Sequence, residues 1–147
     1  MEPLVNERIL LGKDLVVFYE AVQEFRVAVS PDGTVIGCGA LHVMWQDLAE
    51  VRTLAVSSQW LGQGVGHALL NHIETDARAL GLERLFCLTF ETAFFSRHGF
   101  EPVEEELVDP AVFAQLSLSP DEGVAEFLDL SRVKPNTLGN TRMLKRL

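Results

Sequence analysis

One stretch constrains the fold of this chain more than any other. An apolar strand over 49–56 runs through Ser57-Ser58-Gln59-Trp60-Leu61 into Gly62-Gln63-Gly64-Val65-Gly66, and then into a long amphipathic helix. Val65, Leu69, Ile73, Ala77 and Leu80 recur at near-helical spacing, while His67, Asn71, Glu74 and Arg78 occupy other faces. Gly81 stops the helix as a C′ residue, and Arg84 to Phe90 reads as a buried strand. Three closely placed glycines let backbone N–H groups turn inward with no side chains in the way. The helix N-terminus adds partial positive charge, so a pyrophosphate fits there. No Lys-Ser/Thr follows, which excludes a Walker loop, and the spacing differs from the G-x-G-x-x-G of dinucleotide folds.

The remaining chain can be placed around this unit. The opening to about Leu11 reads as helix. Asp14 caps a second helix through Val22, with Leu15, Phe18, Tyr19 and Val22 on one stripe. Phe25, Val27 and Val29 then alternate as a strand. Ser30-Pro31-Asp32-Gly33-Thr34 supplies turn chemistry, and Val35 to Trp45 is the hairpin partner. Gln46-Asp47 turns into the strand 49–56. Thr92 to His98 is a short helix closed by Gly99, and Asp109-Pro110 opens another. Val124 to Leu130 and Thr141 to Leu147 are expected as closing strands. Antiparallel strands followed by strand–helix–strand give an α+β, or mixed α/β, sheet. No repeat or linker divides the chain, so 1–147 is expected to be a single domain.

Composition narrows the function. The 147 residues, 48% hydrophobic and 22% charged, suit a packed domain. No apolar run reaches bilayer length, and Met1-Glu2-Pro3-Leu4-Val5-Asn6-Glu7-Arg8 lacks the basic-then-apolar order of a signal peptide. Cys38 and Cys87 are isolated and read as buried, reduced thiols, so a cytoplasmic protein without a membrane partner is expected. A net charge of -9 argues against nucleic acid as a partner. The charge is uneven: Glu101 to Leu130 carries no Lys or Arg, whereas Ser131 to Leu147 carries Arg132, Lys134, Arg142, Lys145 and Arg146 and no acid. This block points to an anionic ligand, although charge alone fits a solvated basic terminus equally well. No metal-ligand cluster is visible.

The succession of strand 49–56, Gly62-Gln63-Gly64-Val65-Gly66, a helix to Gly81, strand 84–90 and Phe94-Phe95-Ser96-Arg97-His98-Gly99-Phe100 resembles the GNAT family of N-acetyltransferases. The likeness runs from about Phe25 to the end, with Thr141-Arg142-Met143-Leu144-Lys145-Arg146-Leu147 as the closing strand. It implies a GNAT acyltransferase fold, a central and mostly antiparallel twisted sheet flanked by helices. It implies acetyl-CoA as cosubstrate and no metal. Pyrophosphate would lie on the backbone of Leu61, Gly62, Gln63, Gly64, Val65 and Gly66, and Leu54, Ala55 and Val56 would hydrogen-bond the pantetheine arm. In such enzymes the strand after the glycine helix splays from its neighbour, leaving a slot for the thioester.

More narrowly, the chain is similar to the short, single-domain N-acetylglutamate synthases. The residues that carry this are Glu20 to Phe25, Gly37-Cys38-Gly39-Ala40-Leu41-His42, Leu88-Thr89-Phe90-Glu91-Thr92 and Arg132-Val133-Lys134-Pro135-Asn136-Thr137-Leu138-Gly139-Asn140. The implied reaction is acetylation of the α-amine of L-glutamate, the opening step of arginine biosynthesis. Two positions depart from the family pattern. Leu61 stands where Arg or Gln is common, and Phe95 stands where many relatives have the Tyr that protonates the leaving thiolate. The family also begins with a strand before its first helix, and Met1 falls inside that helix. Either the start lies upstream or the first strand is absent, in which case a second subunit would cover the edge as a homodimer.

Glu50 and Arg52 alternate with Val51 and so share a strand face, roughly 7 Å apart. Glu50 is the expected general base, acting directly or through one water. A backbone N–H near Leu54 to Val56 is expected to polarise the thioester carbonyl, and Arg52 to clamp a carboxylate. A surface cross-strand ion pair is the competing account of the two charges. Glutamate has two carboxylates, so Arg132, Lys134 and Arg142, with Asn136, are the further candidates. His42 reads as a satisfied structural histidine with a spare catalytic role, and Cys87 as inert core. Other acceptors (glutamine, another amino acid, a polyamine, a protein N-terminus) or a non-catalytic coenzyme-A sensor are the alternatives.

Overall fold

The computed structural model describes residues 15–104, 107–128 and 139–147. Six strands follow in chain order: β1 Phe25–Val29, β2 Val35–Trp45, β3 Leu48–Val56, β4 Arg84–Thr89, β5 Glu101–Pro102 and β6 Thr141–Arg146. The helices are α1 Leu15–Glu20, α2 Val65–Ala79, α3 Thr92–Arg97, α4 Pro110–Leu116 and α5 Glu122–Phe127. The strands form one sheet in the order β1-β2-β3-β4-β6-β5. β1 pairs antiparallel with β2, β6 pairs antiparallel with β4 and β5, and β3 runs parallel to β4. This is the mixed, mostly antiparallel sheet that the sequence pattern implies. By contact density the chain divides into two compact units, residues 1–42 with 51–82, and residues 43–50 with 83–147.

In the first unit α2 packs on β2, and glycine makes the approach possible. A Cβ on Gly39 would stand 2.8 Å from Ile73 Cδ1, and one on Gly37 would stand 3.1 Å from Leu69 Cδ1. The helix turns Leu69, Leu70, Ile73 and Ala77 inward, as its apolar period requires. Arg26 on β1 holds Asp76 on α2 through two hydrogen bonds of 2.7 and 2.8 Å. The first unit also corrects an expectation. α1 ends at Glu20 and a short 3-10 turn takes Val22–Glu24; of the expected stripe Leu15, Phe18, Tyr19 and Val22, only Phe18 is half-buried, against Phe25, and the others are 69%, 72% and 64% exposed. The expected opening helix and the question of a first strand fall outside the described residues.

The second unit has its own core of Met44, Leu48, Phe86, Leu116, Val124, Phe127, Leu128 and Leu144, with Trp45, Leu88 and Phe113 against it. Phe86 and Phe127 meet edge to face, 5.1 Å between centroids. The strand expected over Val124 to Leu130 is not found in its described part: Glu122–Phe127 is helix α5, and residues 129 and 130 fall outside the described residues. Asp121 at its N-cap accepts a hydrogen bond from Val124 N at 3.1 Å, which nucleates the turn. Short apolar runs do not separate strand from helix by period, and here the cap decides. β5 is two residues long and has no signal in the sequence pattern.

Candidate active site

β3 carries the two charges singled out from sequence. Glu50 and Arg52 are only 5% and 8% exposed, so a solvent-facing ion pair does not describe them. Charges are retained at such burial when they are satisfied or used. In the second unit Glu50 is the register partner of Phe86 on β4, in a parallel pairing that covers Leu48, Ala49 and Glu50. The Cys87 thiol is pushed well above its ordinary value, first by burial and then by the negative charge of Glu50. A buried thiol held neutral in this way is a poor nucleophile.

Arg142 on β6 packs against Phe86 and the end of α5. Its guanidinium carbon sits 5.9 Å from the centroid of Phe86, the residue that pairs with Glu50, and its Nη2 donates to the carbonyl oxygen of Phe127. Arg142 therefore supports the C-terminal end of α5. Arg132, Lys134 and Asn136 lie outside the described residues.

In the first unit β3 continues from Arg52 into Thr53, Leu54, Ala55 and Val56. Thr53 has φ 56, the only positive φ of a non-glycine among the described residues. A β-branched residue pays about 1–3 kcal/mol for that conformation, so the surroundings must hold it. The Cys38 thiol on β2 lies 3.4 Å from the Thr53 carbonyl oxygen and donates to it. Burial raises the thiol pKa, keeping it protonated as a donor. Sequence reasoning missed this kink, since Thr is an ordinary strand residue and nothing local marks it.

After β3, a 3-10 turn at Ser58–Trp60 leads to Leu61, Gly62, Gln63 and Gly64. Gly62 and Gly64 have φ 75 and 84, and a Cβ at either would meet nothing within 4 Å. Their absent side chains therefore serve conformation and open access. Gln63 Nε2 donates to the Gln59 carbonyl oxygen at 3.4 Å, tying the loop to itself. Gly64 is the N-cap of the 15-residue α2, with no side chain to cap the first N–H groups. Gly66 is already helical, so only two of the three glycines shape the turn. Open backbone donors at a helix N-terminus are the kind of group that suits a phosphate-bearing ligand.

His42 and Phe95 also have clear places. His42 Nδ1 is 2.7 Å from Glu24 Oε1, a satisfied histidine. Phe95 is buried, edge to face with Phe94 and Phe100 at 5.2 Å each, and has no hydroxyl to offer. Among the described residues no group of three His, Cys, Asp or Glu is placed to hold a metal ion. No described helix is long and apolar enough to cross a membrane.

The model of the Acetyltransferase (GNAT) family matches residues 7–100, more than half of the chain. The chain belongs to the GNAT acetyltransferase family. It is an acetyltransferase, and acetyl-CoA is its cosubstrate. The amino-acid acetyltransferase of Mycobacterium tuberculosis strain H37Rv is 58% identical over 139 residues, which span 93% of this chain and 80% of that protein. A crystal structure of Rv2747 from Mycobacterium tuberculosis, in a complex that includes CoA, is 56% identical with a TM-score of 0.93, covering 99% of this chain and 90% of the other. N-acetylglutamate synthase from Neisseria gonorrhoeae, complexed with coenzyme A and N-acetyl-glutamate, is 28% identical with a TM-score of 0.75 over 99% of this chain. The GNAT chain spans only 31% of that synthase.

Proposed function

We propose that this GNAT acetyltransferase transfers the acetyl group of acetyl-CoA to the α-amine of L-glutamate, giving N-acetylglutamate and CoA as the first step of arginine biosynthesis. Residues 1–147 form one catalytic domain in this reading, acting in the cytoplasm. The observation that carries it is the burial of Glu50 and Arg52, two residues apart on the strand that leads into the glycine turn. In this reading the Glu50 carboxylate takes a proton and the Arg52 guanidinium receives a carboxylate. Support comes from the amino-acid acetyltransferase named at 58% identity and from the synthase complexed with N-acetyl-glutamate.

Acetyl-CoA, when bound, supplies an activated acetyl thioester. The chain's own residues do the rest. Leu61 to Gly66 hold the pyrophosphate through backbone N–H groups, and Leu54, Ala55 and Val56 align the pantetheine arm and offer an N–H to the thioester carbonyl. Arg52 holds a glutamate carboxylate in bidentate fashion, with Arg142 and the 132–136 segment (Arg132, Lys134, Asn136) available for the second. Glu50 takes the ammonium proton, directly or through one water, so that the amine attacks as a neutral nucleophile. With Phe95 lacking a hydroxyl, water supplies the proton to the departing thiolate.

The test is thiol release from acetyl-CoA with purified protein and a panel of glutamate, glutamine, aspartate, spermidine and an N-terminal peptide. Turnover with glutamate above all others supports the proposal. Preferential turnover of glutamine or another acceptor overturns the substrate while leaving the family intact. Coenzyme binding with no turnover on any acceptor would favour a sensor in its place.

A further inference from the structure

Thr53 sits directly between Arg52 and Leu54, so its left-handed φ of 56 sets the direction of the chain from the proposed carboxylate clamp to the proposed pantetheine strand. Two neighbours act on this point from β2. The first is the pair Gly37 and Gly39, which let α2 close down on one face. A Cβ on Gly37 would stand 3.0 Å from the Ala55 carbonyl oxygen and 3.2 Å from Val65 Cγ1, and one on Gly39 would stand 3.0 Å from Leu54 Cδ1. The second is Cys38, which lies between those glycines and so projects to the opposite face. Its thiol reaches the Thr53 carbonyl oxygen at 3.4 Å. The triplet Gly37-Cys38-Gly39 therefore lies against β3 from the strained residue onward, at Thr53, Leu54 and Ala55.

We infer that Cys38 is a positioning residue for the transferase: its thiol holds the Thr53 peptide in the kinked conformation that aims Arg52 relative to the backbone of Leu54 to Val56. The role rests on the proposed function for Arg52, and on geometry alone for the kink. It assigns Cys38 no covalent or redox chemistry. Serine keeps a donor at this place, whereas valine keeps bulk and removes it.

The experiment compares Cys38→Ser, Cys38→Val and the wild type in steady-state kinetics with both substrates, alongside amide NMR signals of Thr53 and Leu54 and thermal melting. Cys38→Val is expected to raise the acceptor KM about 3- to 10-fold, the scale of one lost hydrogen bond, with the acetyl-CoA KM within about 2-fold of wild type. Cys38→Ser is expected to return to within about 2-fold. The Thr53 and Leu54 amide signals should shift in the valine variant and far less in the serine variant. Melting temperature alone falling in Cys38→Val, with kinetics and those two signals unmoved, overturns the inference. So does a serine variant no better than valine. If the wild type prefers an acceptor other than glutamate, the glutamate reading fails while the amide comparison still decides the role of Cys38.

Discussion

Gly37 lies hard against Ala55: a Cβ there would stand 3.0 Å from the Ala55 carbonyl oxygen, with Leu69 and Val65 at 3.1 and 3.2 Å behind it. The nearest atom is backbone and cannot rotate away. Gly37→Ala is therefore expected to cost about 1–3 kcal/mol through overpacking, seen as a fall in Tm of several degrees. Val65 opens α2, so the displacement should also weaken acetyl-CoA binding at the adjoining turn. Calorimetry and an equilibrium titration with coenzyme A check both, and an unchanged Tm would show that β2 and α2 are less tightly apposed than the geometry says.

Asp121 caps α5 through Val124 N. Replacing it by alanine removes the acceptor for that N–H, and Asp121→Ala should lose about 0.5–2 kcal/mol in urea unfolding. Asp121→Asn, which keeps a carbonyl acceptor, should lose much less. Equal losses in the two variants would mean that charge at the helix start, rather than the hydrogen bond, is what counts.

The same helix marks the boundary of what the sequence made legible. Elements with strong periodicity or flanking punctuation, such as α2 closed by Gly81 or the β1–β2 turn at Pro31-Asp32-Gly33, were readable because local chemistry and tertiary packing agree there. The run from Val124 departs from the expected strand because a short apolar-rich run fits either period. On α1, Leu15 and Tyr19 are exposed while Phe18 packs on Phe25, so helical spacing predicts a face without saying how much of it is covered. For the site, Glu50, Arg52 and the glycine turn stood out by residue type and spacing. The Thr53 kink did not, since a positive φ at a β-branched residue is imposed by neighbours on β2 and has no local signature.

Cys87 gives a pH prediction with a definite sign. Burial and the Glu50 charge raise its folded pKa well above the ordinary 9.0, so the folded state keeps its proton longer than the unfolded state does. That contribution is fully present below about pH 9, the unfolded value, and is lost as pH rises toward and through the folded pKa. Urea unfolding between pH 8 and pH 11 should show a falling alkaline limb, flatter in Cys87→Ala relative to its own value at pH 8. Iodoacetamide at pH 8 should leave Cys87 unmodified in the native protein and label it in urea, as mass spectrometry will show. Rapid native labelling would contradict the buried, neutral thiol.

Glu50 and Arg52 share a strand but are expected to fail differently. Glu50→Gln keeps shape and hydrogen-bonding capacity while abolishing the base, so turnover should fall about 10²- to 10⁴-fold with little change in either KM. The deficit should shrink as pH approaches the pKa of the amine, because the substrate then arrives already neutral. Arg52→Ala removes a charge-assisted, bidentate contact, and the acceptor KM should rise about 10- to 100-fold while the acetyl-CoA KM stays near wild type. Both residues are buried, so each variant needs its melting temperature measured beside its kinetics. A clamp predicts that the loss falls on the acceptor alone; equal loss for both substrates in Arg52→Ala would instead make Arg52 a structural cation of β3.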